Sequence, residues 1–197
     1  FGLTDSPYPE DLWAWLDETS RDTGVDFVAI PHNSNISKGY MFDLRTLRGS
    51  AIDQDYAIRR MKWEPIVEIT QIKGDSETHP TLAIDDSFAD FEEYPYYIQR
   101  SETGYQAEQG DYIRSALKRG LGLGVALGVN PYQFGVIGST DSHTALSSAE
   151  EDNFHGKLAT DSIPERKNLR RMTSSGSSGW AMSASGLAAV WAEENTR

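Results

Sequence analysis

Two observations predict an α/β fold with parallel strands. Segments with apolar residues at helical spacing alternate along the chain with short apolar runs of strand length. The residues able to do acid–base or metal chemistry then collect within or just after the C-terminal parts of those strand-like runs, where open α/β sheets and parallel barrels build their sites.

The first helix is expected over residues 11–23: Pro7 and Pro9 precede it, acidic residues open it, and Leu12, Trp13 and Leu16 fall at helical spacing. Residues 25–30 read as a strand ending at Pro31-His32. A helix is expected over 53–62 and a short strand with Ile and Val over 65–70. Residues 111–127 form the next expected helix, and the strand 134–137, Phe-Gly-Val-Ile, follows it. Near the C-terminus, 187–191 is a further apolar run leading into Glu193-Glu-Asn.

The 197 residues, 38% hydrophobic, suffice for one substantial core, so a single domain over 1–197 is expected. Three stretches depart from the alternation. Residues 75–97 set Asp85, Asp86, Asp90, Glu92 and Glu93 beside Phe88, Phe91 and Tyr94, and read as an excursion over the mouth of the fold. Residues 144–157 are polar and hold the fourth histidine, and 173–186 are rich in Ser and Gly, as a mobile loop is.

Charge and composition exclude several function classes. Eighteen Lys and Arg against thirty Asp and Glu give a net charge of −12, which repels nucleic acid and anionic lipid at long range. No apolar run approaches the roughly 20 residues a membrane span needs. Without cysteine there is neither disulfide nor thiolate ligand, so any metal is held by His, Asp, Glu or backbone oxygen. The sequence opens at Phe1 without Met, so a leader removed upstream is allowed for, and a periplasmic or secreted location is favoured over a cytoplasmic one.

All four histidines, His32, His79, His143 and His155, sit in polar clusters. The best cluster is Gly138-Ser-Thr-Asp141-Ser-His143, directly after the strand 134–137. Residues two apart in strand-like geometry point the same way, so Asp141 and His143 are placed to converge on one ion. A surface turn rich in Ser, Thr and Asp is the other reading of this motif. His32, Glu68 and Glu193 occupy comparable strand-end positions, while Lys38, Lys73 and Lys157 lie within a few residues of histidine clusters and suit an anionic substrate. The glycines from Gly120 to Gly128 do not fit a dinucleotide loop and follow a helical pattern, so a close-packed helix end is expected there.

Ala29-Ile-Pro-His32-Asn-Ser-Asn35, Val67-Glu68-Ile-Thr-Gln-Ile-Lys-Gly-Asp-Ser-Glu77-Thr-His79 and Gly138-Ser-Thr-Asp141-Ser-His143 resemble segments of a PHP-like family labelled only as a domain of unknown function, DUF3604. Segments beginning at Gly128, Glu151 and Val190 resemble it too, so the similarity covers nearly the whole chain. The resemblance implies a distorted (β/α)7 barrel with a di- or trinuclear centre of Zn, Mn or Fe that hydrolyses phosphate esters. It implies that Asp141, His143 and His32 are metal ligands, and that Glu77 and His79, from the Gly-Asp-Ser-Glu-x-His signature, also line the site. Glu68 matches an acidic position whose role is ligand, base or hydrogen-bond acceptor. His155, Lys38, Lys73 and Lys157 are candidates to stabilise charge on the substrate.

The superfamily's opening His-x-His motif does not occur here. The barrel is therefore expected to be incomplete in this chain, its first strand and two ligands supplied by polypeptide upstream or by another copy. The expected activity is hydrolysis of a small anionic ester by a metal-activated water. The alternative is a non-catalytic calcium- or carbohydrate-binding module, if the acidic excursion forms an oxygen-only site.

Overall fold

The computed structural model describes residues 1–2, 4–97, 104–143 and 186–194. The first helix, α1, spans Pro9–Thr23. Pro9 presets its first turn, Glu10 and Asp11 face the positive end of its dipole, and Gly24 ends it in left-handed geometry. Helix α2, Gln54–Trp63, is capped by Asp53, whose Oδ1 accepts the Tyr56 N–H at 2.8 Å. α1 packs on α2 through buried Trp13, Leu16 and Trp63.

The residues after α2 form strand β1, Ile66–Gln71, which turns through Ile72 and Lys73 into the short strand β2, Gly74–Asp75. Gly74 has φ of +86°, and a Cβ there would meet Glu92 O at 2.5 Å, so both the turn and the returning chain require glycine. Helix α3, Ile113–Leu127, then leads to strand β3, Gly135–Gly138, which pairs parallel to β1. The sheet order is β2-β1-β3. Gly120 lets α3 approach the chain leading into β3, since a Cβ there would meet Asn130 Oδ1 at 2.2 Å and Tyr132 Cβ at 3.0 Å. The expected close-packed helix end is therefore observed. The main core joins Phe42, Ile52, Ala57, Val67, Ile113, Ala116 and Tyr132.

Three sequence expectations are corrected. Residues 25–30 form no strand. They run beside β1 with Ala29 N–H on Trp63 O at 2.8 Å and Glu68 N–H on Pro31 O at 3.0 Å, but Pro31 and Pro65, one on each side of the seam, have no N–H to continue a ladder. The helix expected from residue 111 begins at Ile113. Asp111 is instead buried and bonded to Ser37 Oγ (2.8 Å), Gly39 N–H (2.6 Å) and Glu108 N–H (2.9 Å), holding the loop after His32 against a short 3-10 turn, Gln109–Asp111. The apolar run 187–191 is neither helix nor strand, and Val190 and Trp191 are exposed.

The described residues thus form helices and a three-stranded mixed sheet. Among them no helix is long and apolar enough to cross a membrane. The expected excursion at 144–157, the Ser/Gly-rich loop to residue 185, His155 and Lys157 lie outside the described residues.

Candidate functional site

Parallel pairing puts the C-terminal ends of β1 and β3 side by side, and the segment ending at His32-Asn33 runs along the other edge of β1. The network there begins at Glu68 on β1, whose Oε2 accepts the Asn33 N–H at 3.2 Å. The Gln71 amide donates to Asn33 Oδ1, and Gln71 Oε1 accepts the Lys73 N–H at 2.8 Å. The Lys73 carbonyl accepts from Asn35 Nδ2 at 2.9 Å. The Lys73 side chain, 5% exposed, carries its Nζ to 2.5 Å from Asp141 Oδ2. Asp141 Oδ1 in turn lies 3.0 Å from His143 Nε2.

A bulge in β1 brings Gln71 into this network. Glu68 pairs with Ile137 while Thr70 pairs with the very next residue, Gly138, so β1 carries one extra residue. That extra residue changes the side-chain parity downstream, and Gln71 reaches the same asparagine as Glu68. Strict alternation assigns the two to opposite faces, so sequence reasoning missed Gln71; Asn33 and Asn35 were visible within the His32 motif but received no role.

Asp141 and His143 meet each other, Nε2 3.0 Å from Oδ1, in a turn rather than along a strand. β3 ends at Gly138, and Asp141 sits at φ +52°, a conformation that Asp tolerates better than most residues. Buried Thr140 supports the turn, its Oγ1 accepting the Ser142 N–H at 3.2 Å. His32 is exposed and its Nδ1 lies 3.0 Å from the Ile30 carbonyl. A carbonyl can only accept, so this bond places a proton on Nδ1.

Burial pushes the Glu68 carboxyl above the ordinary carboxylate value, against the Asn33 N–H, the Gln71 amide and the charge of His32, which pull it down; the Asp141 charge adds to the rise. Glu68 is thus electrostatically coupled to residues from both flanking segments. Among the described residues, the basic side chains at Asp141 are Lys73 and His143.

The other predicted residues lie elsewhere. The Glu77 carboxylate pairs with Arg114, which also holds Asp86 Oδ2 at 2.6 Å. His79 bonds Thr81 Oγ1 through Nδ1 at 2.8 Å and faces Glu93 through Nε2 at 3.3 Å, against the rings of Tyr105 and Tyr112. Lys38, in left-handed geometry, sets its Nζ 5.3 Å from the Tyr97 ring centroid. Glu193 is exposed. Among the described residues no group of three or more His, Asp and Glu side chains is gathered to hold a metal ion. Imidazole and carboxylate are donor types that suit borderline divalent cations, and here Asp141 is paired with the Lys73 ammonium.

Helices around a partly parallel sheet, with acidic and imidazole groups beyond the strand ends, define an α/β protein with a polar strand-end site. The chain matches the family described as Protein of unknown function (DUF3604) over residues 1–197, and belongs to it. No curated protein and no solved structure matches the chain.

Proposed function

We propose that this protein is a metal-dependent hydrolase of phosphoesters or related anionic esters, built on a PHP-like barrel of which this chain forms part. The observation that carries the reading is the convergence of Glu68, Lys73, Asp141 and His143, with His32 alongside, at the C-terminal ends of two parallel strands and the segment beside them.

Asp141, His143 and His32 would hold the divalent ions, Zn, Mn or Fe. When bound, such a cation supplies Lewis acidity that polarises a water and an ester oxygen. Glu68, kept partly desolvated on β1, takes the proton from the attacking water, its raised pKa making it a stronger base than a solvated carboxylate. Lys73 holds the Asp141 carboxylate in place at the end of β1 through its ammonium. The resemblance alone assigns Lys38 and His155 to the substrate side; Glu77 and His79, paired with Arg114 and Glu93, lie apart from the strand-end network.

The calcium- or carbohydrate-module reading is the weaker one, because Arg114 occupies Asp86 and Glu77, two of the oxygen donors it needs. Elemental analysis of the purified full-length protein separates the two. Zn, Mn or Fe, with hydrolysis of an aryl phosphate mono- or diester that stops with chelator and returns with Mn²⁺ or Zn²⁺, supports the hydrolase. Calcium alone, with no chelator-sensitive turnover, overturns it.

A further inference from the structure

Two buried carboxamides hold the main chain of Lys73 at both of its polar atoms. Gln71 Oε1 accepts the Lys73 N–H at 2.8 Å, and Asn35 Nδ2 donates to the Lys73 carbonyl at 2.9 Å. Gln71 and Asn35 are each 1% exposed. An N–H can only donate and a carbonyl can only accept, so each bond fixes which way its amide faces. Gln71 Nε2 is thereby turned to Asn33 Oδ1, and Asn35 Oδ1 to the Ser76 hydroxyl at 3.1 Å.

Asn35 is itself held in place. Ser76 Oγ accepts its N–H at 3.2 Å, and its carbonyl accepts the Tyr105 hydroxyl at 2.8 Å. The two amides therefore lock the turn after β1 to the segment after His32, and neither of them titrates. Beyond this clamp the Lys73 side chain is a flexible stem whose ammonium reaches Asp141, 68 positions away. A stem with several rotatable bonds loses less freedom on reaching one partner when the backbone that carries it is already fixed.

We propose that Gln71 and Asn35 are positioning residues that act on Asp141 through Lys73. By pinning the Lys73 main chain they aim its ammonium at Asp141 Oδ2, and so hold the carboxylate that also meets His143. A carboxylate could replace neither amide, since it has no hydrogen to give the Lys73 carbonyl or Asn33 Oδ1. What this placement does for turnover rests on the hydrolase reading, whereas the placement itself does not, so a readout on the lysine separates the two.

Competitive acylation of the full-length protein with an N-hydroxysuccinimide ester, followed by peptide mass spectrometry, reads the reactivity of each lysine. Lys73 should react more slowly than exposed Lys118, because its side chain is 5% exposed and ion-paired. Asn35→Ala and Gln71→Met should each raise Lys73 labelling about five- to tenfold, the population shift of one lost buried hydrogen bond, with Lys118 unchanged. Leu16→Ala, a core change at the α1–α2 contact, should leave Lys73 labelling where it is. Asp141→Asn should also free Lys73, and adding Asn35→Ala to it should bring little more, because both act on the same ammonium. If Asn35→Ala does not fold, Ser76→Ala, which withdraws only the hydroxyl bonded to Asn35, should change Lys73 labelling in the same direction. Lys73 labelling unchanged by these variants, raised as much by Leu16→Ala, or raised independently by Asp141→Asn and Asn35→Ala would each overturn the proposal.

Discussion

Lys73 Nζ lies 2.5 Å from Asp141 Oδ2 and ties the turn after β1 to the loop after β3, 68 positions apart in sequence. The lysine side chain is 5% exposed and the aspartate 19%, so little water is available to solvate either charge alone. Lys73→Ala is expected to destabilise the protein by less than the roughly 3 kcal/mol of stranding a buried charge, because His143 still faces Asp141. Mn²⁺ or Zn²⁺ should recover part of that loss by taking the place of the ammonium at Asp141. Thermal unfolding of both proteins with and without metal measures this; a variant whose stability is indifferent to metal would separate Asp141 from the ion.

Glu68 is expected to set the acid side of the pH–rate profile. Its carboxyl is raised by burial, so the base form appears only at a pH above the ordinary carboxylate range, and activity should rise with pH through that elevated value. Glu68→Gln, which keeps the shape but cannot take a proton, should lower kcat by about 100- to 10,000-fold. Full activity in this variant, with the acid limb unmoved, would remove Glu68 from the proton-transfer role.

Asp75 gives a stability signature of opposite sign to a salt-bridged carboxylate. Burial pushes its carboxyl up to about 6, despite the N–H groups of Glu77 and Thr78 that favour its charged form. The folded chain therefore binds this proton more tightly than the unfolded chain. Its contribution favours folding at low pH, falls as pH rises from the ordinary carboxylate value to about 6, and is level above that. Asp75→Asn should flatten this segment of the stability–pH curve, as measured by urea unfolding between pH 4 and pH 7; an unchanged slope would assign the dependence to other groups.

The buried ion pair beneath the two helices should be the most sensitive structural position. Arg60 Nε lies 3.0 Å from Glu64 Oε2, and the guanidinium sits 4.9 Å from the Tyr132 ring centroid while donating to Met41 O at 3.0 Å. Glu64 also accepts the indole N–H of buried Trp13 at 2.9 Å. Arg60→Ala leaves the Glu64 charge without its cation and opens space beside Phe42 and Tyr132, so a loss of about 3 to 5 kcal/mol is expected by chemical denaturation. Arg60→Met, which refills the space but leaves Glu64 uncompensated, should recover little of it.

The sequence by itself determined the first two helices and the body of the third, because capping and apolar spacing are local. Asp53 caps α2 where the pattern places its start, and Pro9 and Gly24 bracket α1. It also determined β1 and β3 to within one residue, and the closeness of Asp141 to His143. Only the tertiary structure decided the rest. The segment before His32 has the composition of a strand, yet it lies against β1 with Pro31 on one side of the seam and Pro65 on the other, and that seam is invisible in the sequence. Gln71 joins Glu68 because a bulge in β1 shifts side-chain parity, and Lys73 meets Asp141 because parallel pairing brings the two strand ends together. Asp111 looked like a helix start and became a buried clamp on the loop after His32. Local patterns record what a residue prefers next to its neighbours in the chain, whereas bulges, seams and ion pairs arise between segments that meet only in the folded chain.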